Sequence, residues 1–169
     1  MERFAYQYIA NEYKDDVEWQ KDKIKIFTID IETSCEEGFP DVDNPVEEIL
    51  CLTVKNQTNK QIITWGTGEF KTDREDVTYI RCNSEKELIK QFMTFWMKNY
   101  PDIITGWNCK FFDIPYLMNR IIRLTDDKVV RNFSPWKYVE KKEIVVRGRP
   151  KTVFSIMGIA MLDYIDLYQ

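Results

Sequence analysis

The 169 residues, 44% hydrophobic and 14% aromatic, suffice for one domain with a substantial core and are short for two. No apolar run nears the ~20 residues of a membrane span, and MERFAYQYIANEYKDD has neither the cationic start nor the apolar stretch of a signal peptide, so a cytoplasmic protein without membrane contact is expected. A chain with no histidine cannot run a His triad, His-ligated zinc or histidine base chemistry, and its net charge of −4 argues against broad clamping of nucleic acid while allowing a local site.

Residues 1–22 are polar, mixed in charge and without clear periodicity, and read as a lead-in segment with room for one edge strand. The domain proper is expected over 23–169. It opens on Ile24 to Glu32, IKIFTIDIE, an apolar run that ends with two carboxylates one residue apart. Side chains alternate faces along a strand, so Asp30 and Glu32 project together near its end. That presents two hard oxygen ligands to one divalent cation such as Mg²⁺ or Mn²⁺. A solvated edge or a salt-bridged face is the plain alternative for carboxylates on a strand. The stretch CEEGFPDVDNPVEE reads as a loop, and Glu48–Val54 and Gln61–Trp65 as strands joined by the hairpin KNQTNK. Val77–Cys82 extends this meander by a further short strand.

Ser84-Glu85-Lys86-Glu87 matches a capping box, and Leu88, Ile89, Phe92, Phe95 and Trp96 follow at helical spacing until Pro101 stops the pattern. Asp102–Trp107 then suits a buried strand returning parallel to the first, which makes the sheet mixed. Pro115 fits the first turn of another helix, with Tyr116, Leu117, Met118, Ile121 and Ile122 as its apolar positions. Between strand and helix lies GWNCKFFDIPY, with Asn108 and Asp113. A carboxylate there is often a cap. If the strand from Asp102 lies beside that of Asp30, Asp113 instead approaches the first pair, and three acids surround one site.

Cys35, Cys51, Cys82 and Cys109 form no CxxC pair, so structural zinc is not expected; Cys35 and Cys109 beside the two motifs read as buried packing. Residues 137–151 carry six Lys and Arg against two Glu, and the pattern KYVEKKEIVV, RGRP, KTVFSIMG reads as a basic β-hairpin. Its lysines could equally keep an exposed edge soluble. Asp163 and Asp166 in LDYIDLY read as turn or helix-cap acids, with no metal assigned to them.

TIDIET and NCKFFD, with their surroundings GWNCKFFDIPYLMNRI and GIAMLDYIDLY, resemble the 3′–5′ proofreading exonuclease domain of family B DNA polymerases, particularly the replicative polymerases of T-even-like bacteriophages. The similarity covers roughly Lys23 to Gln169. It implies an α/β, ribonuclease-H-like exonuclease fold, a mixed β-sheet flanked by helices with a protruding β-hairpin. It also implies two divalent ions, Mg²⁺ or Mn²⁺, and hydrolysis of the last phosphodiester of a DNA 3′ end. On this resemblance Asp30 bridges both ions, Glu32 holds the ion that activates water, and Asp113 serves mainly the second.

Phe111 and Phe112 are candidates for stacking on the single-stranded 3′ end, with at least one of them read as packing. Asn108 either hydrogen-bonds near the site or caps locally. The hairpin, with Lys141, Lys142, Arg147 and Arg149 as DNA contacts, resembles one that helps separate primer from template. The family's third motif, Tyr-x-x-x-Asp, is not found in this sequence, and the expectation is that it lies beyond Gln169. The exonuclease domain is therefore expected to be incomplete at its C-terminus. The rest of the polymerase would then be a partner, in cis or as a separate chain. A catalytically incomplete fragment or split-polymerase subunit, and another ribonuclease-H-like nuclease, are the competing readings.

Overall fold

The computed structural model describes residues 4–14, 18, 20–36 and 38–168. In chain order the elements are α1 (Phe4–Glu12), β1 (Ile26–Thr33), β2 (Ile49–Asn56), β3 (Ile62–Gly66), β4 (Val77–Arg81), α2 (Glu85–Lys98), β5 (Ile103–Gly106), α3 (Asp113–Leu124), α4 (Asp127–Val130), β6 (Val139–Val146), β7 (Arg149–Ile156) and β8 (Ala160–Asp163), with short 3₁₀ turns between some of them. Strands β4-β3-β2-β1-β5-β8 form one six-stranded sheet, and β6-β7 stand apart as a hairpin. This is the expected mixed α/β architecture. Among the described residues no helix is long and apolar enough to cross a membrane.

Strand β1 lies between β2 and β5 and alternates regularly: Phe27, Ile29 and Ile31 are buried while Asp30 and Glu32 are exposed. It pairs antiparallel with β2, setting Asp30 opposite Thr53 and Glu32 opposite Cys51, and parallel with β5. The parallel ladder is short, ending at Thr28 opposite Thr105. Beyond it the β5 side of β1 is open to other partners.

Two expectations are corrected. The lead-in segment holds no edge strand among its described residues; Phe4–Glu12 is a helix whose Tyr8 and Ile9 stay exposed, and residues 1–3, 15–17 and 19 lie outside the described set. FAYQYIANE is apolar on several sides, so it shows no helical stripe to read. The meander also stops at β3, because β4 runs parallel to it. The stretch 67–76 is long enough to carry the chain back to the start of β3, where Ile62 N–H bonds Asp76 O at 2.8 Å.

Helix α2 begins as the capping pattern requires, with Ser84 Oγ accepting from Glu87 N–H at 3.3 Å. The reciprocal bond shifts by one residue, since Glu87 Oε2 accepts from Asn83 N–H at 2.8 Å. Leu88, Phe92 and Trp96 are fully buried and join Phe27, Leu52 and Trp65 in the core. Trp96 keeps its ring N–H satisfied by Phe133 O at 2.9 Å.

A buried ion pair ties α3 to α2 and to the loop after β1. Arg120 donates to both Glu85 oxygens at 2.8 and 2.7 Å and to the carbonyls of Pro45 and Val46 at 3.0 and 2.8 Å. Glu85 Oε1 also accepts from Ile49 N–H at 2.8 Å, at the start of β2. Every charge in this cluster is matched by hydrogen bonds, the condition under which burial of an ion pair is tolerable. Arg120→Ala leaves Glu85 buried without its partner and should cost about 3–5 kcal/mol in urea unfolding. The double change Glu85→Leu/Arg120→Met should recover only part of that loss, because Ile49 N–H and two loop carbonyls stay unmatched. A loss below about 1 kcal/mol for Arg120→Ala would show that water replaces the pair.

Candidate carboxylate metal site

Asp113 opens α3 and turns back onto β1. Its Oδ1 accepts the N–H of Ile31 at 3.0 Å, a buried bond on the residue between Asp30 and Glu32. The β1–β5 ladder ends three residues earlier, so this amide has no strand partner on that side and the carboxylate takes its place. The close approach depends on Gly106, where an added Cβ would lie 2.8 Å from Ile29 O and 2.9 Å from Cys109 Cβ. A larger residue there would push the turn carrying Asp113 away from β1.

The turn between β5 and α3 is organised by Asp163 from β8. This buried carboxylate accepts from Asn108 N–H and Lys110 N–H, each at 2.8 Å, and from Ile165 N–H at 3.0 Å. It is a turn acid, as its setting in LDYIDLY suggests. Asp166 stands 3.9 Å from the Lys110 ammonium. Asn108 adopts a positive φ of 59° and its carbonyl accepts from Phe111 N–H and Phe112 N–H at 3.1 and 2.9 Å, so its backbone shapes the turn.

Burial raises the Asp113 pKa to about 7; the Ile31 N–H partly offsets this, and the Asp30 and Asp163 charges add to it. Asp30 is also raised by burial. The Cys51 thiol is raised chiefly by burial, with smaller contributions from Glu32 and Asp30, the carboxylates of the neighbouring strand. These acids lie in a common field with little positive charge to offset it. All-carboxylate donors and no histidine fit a hard cation, Mg²⁺ or Mn²⁺, by donor chemistry. Among the described residues no group of three or more Asp, Glu, Cys or His stands close enough to hold a metal ion.

The remaining sequence candidates divide. Phe112 packs against Phe39 and Tyr116 with ring centroids 5.2 and 5.7 Å apart, whereas Phe111 has the Lys110 ammonium 5.2 Å from its ring. Both are partly exposed and line a cleft of about 250 Å³ with Asn108, Phe39, Asp43 and Thr152. Phe39, 83% exposed, is an aromatic that the loop reading passed over; its only signal was an apolar residue among acids and turn formers. Cys109 is buried as expected, but Cys35 is exposed, with its thiol on Gly38 O at 2.8 Å, because the loop turns outward directly after β1.

The basic hairpin turns on two residues, Arg147 and Gly148, both with positive φ, rather than on the four of RGRP. Arg149 and Pro150 already belong to β7. Arg147 and Arg149 are exposed near the tip, and Lys142 pairs with Glu140 at 2.9 Å. Lys141 is exposed as well, yet its ammonium reaches back to the body of the domain, 3.1 Å from Asn119 Oδ1 and 5.9 Å from the Phe154 ring centroid.

Fold and carboxylates together define an α/β domain of the ribonuclease-H-like exonuclease class. The chain belongs to DNA polymerase family B, exonuclease domain, whose family model matches residues 4–169. It is similar to the DNA-directed DNA polymerases of Escherichia phage RB69 and Enterobacteria phage T4, each 27% identical over 194 aligned positions, covering 100% of this chain and 22% of theirs. The DNA polymerase catalytic subunit of Elephantid herpesvirus 1 is 35% identical over 114 positions, 63% of this chain and 11% of its own. The chain thus spans about a fifth of the length of its phage relatives.

The raised Asp113 pKa makes metal-free stability depend on pH. Below the unfolded-state value of 3.8 the group is protonated whether folded or not, so its contribution is complete there. As pH rises toward and through about 7, the folded chain holds a proton that the unfolded chain has already released, and stability is lost. Asp113→Asn keeps an acceptor for Ile31 N–H and removes the titration. In chelator-treated urea melts it should match the parent near pH ~3.5 and exceed it at pH ~8, by at most about 4 kcal/mol. Equal stability at both pH values would show Asp113 to be ordinarily ionised.

Proposed function

We propose that this chain is the 3′–5′ proofreading exonuclease module of a family B DNA polymerase, removing the terminal nucleotide from single-stranded DNA 3′ ends, with Asp30, Glu32 and Asp113 as its metal-holding carboxylates. The observation that carries this reading is the Asp113 carboxylate on Ile31 N–H, between the two exposed acids of β1, in a chain of this family. Bound divalent cations supply the positive charge and water activation that phosphodiester hydrolysis needs. Asp30 and Glu32 offer their oxygens outward, where a phosphate can approach. Asp113 is held in one position by its backbone bond. Phe111, Phe112 and Asn108 line the adjoining cleft and seat the terminal base by stacking and shape. Lys142, Arg147 and Arg149 meet phosphates along the hairpin, while the Lys141 ammonium is engaged with Asn119.

Metal-dependent hydrolysis by the chain alone should be weak. Support comes from the sequence, in which the family's Tyr-x-x-x-Asp pattern is not found, leaving the proposed site on Asp30, Glu32 and Asp113 alone. The rest of a polymerase, in cis or as a separate chain, would supply a further ligand.

The test is release of nucleotide from 5′-labelled single-stranded DNA with Mg²⁺ or Mn²⁺, with and without a polypeptide carrying the downstream family sequence. The completed enzyme should degrade 3′ to 5′, and Asp30→Ala should abolish this without lowering the melting temperature. A retained rate in that variant would reject the carboxylate assignment. In binding measurements against salt, replacing Lys142, Arg147 and Arg149 with neutral residues should flatten the slope by up to about 2, at ~0.7 per phosphate contact on single strands. An unchanged slope would leave the hairpin as scaffold.

A further inference from the structure

One face of α3 makes a run of polar contacts that the metal site does not use. Tyr116, Asn119, Arg120 and Arg123 recur at helical spacing, and each reaches the loop between β1 and β2: the Tyr116 hydroxyl donates to Glu47 O at 2.8 Å, Asn119 Nδ2 to Val42 O at 2.8 Å, Arg120 to Pro45 O and Val46 O, and Arg123 to Asn44 Oδ1 at 3.1 Å. Asn119 differs from the others. It is 7% exposed, and its Oδ1 accepts the Lys141 ammonium of β6 at 3.1 Å while its Nδ2 holds the loop.

Loop and hairpin meet a second time where Thr152 Oγ1 on β7 donates to Asp43 Oδ1 at 2.6 Å. These two segments, with the turn of Asn108 to Phe112, form the walls of the 250 Å³ cleft. A side-chain amide presents a donor and an acceptor on one carbon, which an ionised carboxylate does not. Aspartate would keep the lysine and lose the loop; leucine would lose both.

We infer that Asn119 is a positioning residue that couples the Phe39–Asp43 loop to the β6–β7 hairpin, so that the hairpin sets the width of the cleft and the seating of the DNA 3′ end. This rests on the proposed function. Lys141 is then an exposed strut between the hairpin and α3 rather than a phosphate contact.

The test uses the chain with a 5′-fluorescent oligodeoxythymidylate, following anisotropy against salt, and hydrogen exchange of the loop amides without DNA. Asn119→Leu and Lys141→Met should each weaken DNA binding about fivefold, and the double variant little further, because both break one relay. The salt slope should hold for Lys141→Met, and exchange within residues 41–47 should quicken in both variants. In the completed enzyme KM should rise while kcat stays within about twofold, separating seating from alignment of the reacting groups. Native affinity and native loop exchange in Lys141→Met, a surface change that leaves the core intact, would overturn the coupling. A salt slope smaller by about 0.7 in that variant would make Lys141 a phosphate contact and overturn it equally. A parent chain that binds no DNA would reject the proposed function itself, an outcome distinct from either.

Discussion

The site depends on one hydrogen bond, from Ile31 N–H to the Asp113 carboxylate. It exists because two strands part company. β5 follows β1 only as far as Thr28, and the next free amide on that side of β1 would be buried without a partner. A carboxylate fills that need more strongly than a neutral acceptor would, and in doing so comes within the field of Asp30. The bond offsets part of the cost of burying the acid but not all of it, as the raised pKa records. A residue kept for packing alone would be better as asparagine.

Around that bond the fold arranges successive layers of support. Gly106 permits the approach, Asp163 gathers the amides of the preceding turn, and Arg120 with Glu85 locks α3 to α2 and to the head of β2. The last two layers use buried charges satisfied by backbone donors or acceptors, which is stringent in geometry because such groups are costly when left unmatched. The carboxylates are therefore borne on rigid elements. The cleft beside them is bounded on two sides by a loop and a hairpin, elements more easily displaced.

Local patterns were legible in the sequence wherever they were periodic. The alternation of β1 put Asp30 and Glu32 on one face, Ser84 opened α2, and the apolar spacing after Pro115 marked α3. The return of β5 beside β1 followed from a strand-helix-strand pattern, and with it the approach of Asp113. What could not be read was long-range and polar. Nothing in NPVEE announces that its carbonyls face Arg120, nor does KYVEKK show that the Lys141 ammonium reaches Asn119 while Lys142 pairs with Glu140. The parallel β3–β4 pair was missed for a related reason: strand direction is set by the path of the connecting segment, which carries no periodic signal. Helix α1 was missed because its apolar residues do not gather on one side.

A chain of net charge −4 that is to bind a polyanion must do so by local fields. At about 0.1 M salt, charges more than ~10 Å apart are largely screened, so under the proposed function the basic hairpin would act only on phosphates that lie against it. Asp30 and Asp113 would repel a phosphate at the same short range, and the Asp30 charge already helps raise the pKa of Asp113. On that reading a strand of DNA meets opposite fields at the two places, and a cation held by the carboxylates would remove the repulsion at one of them.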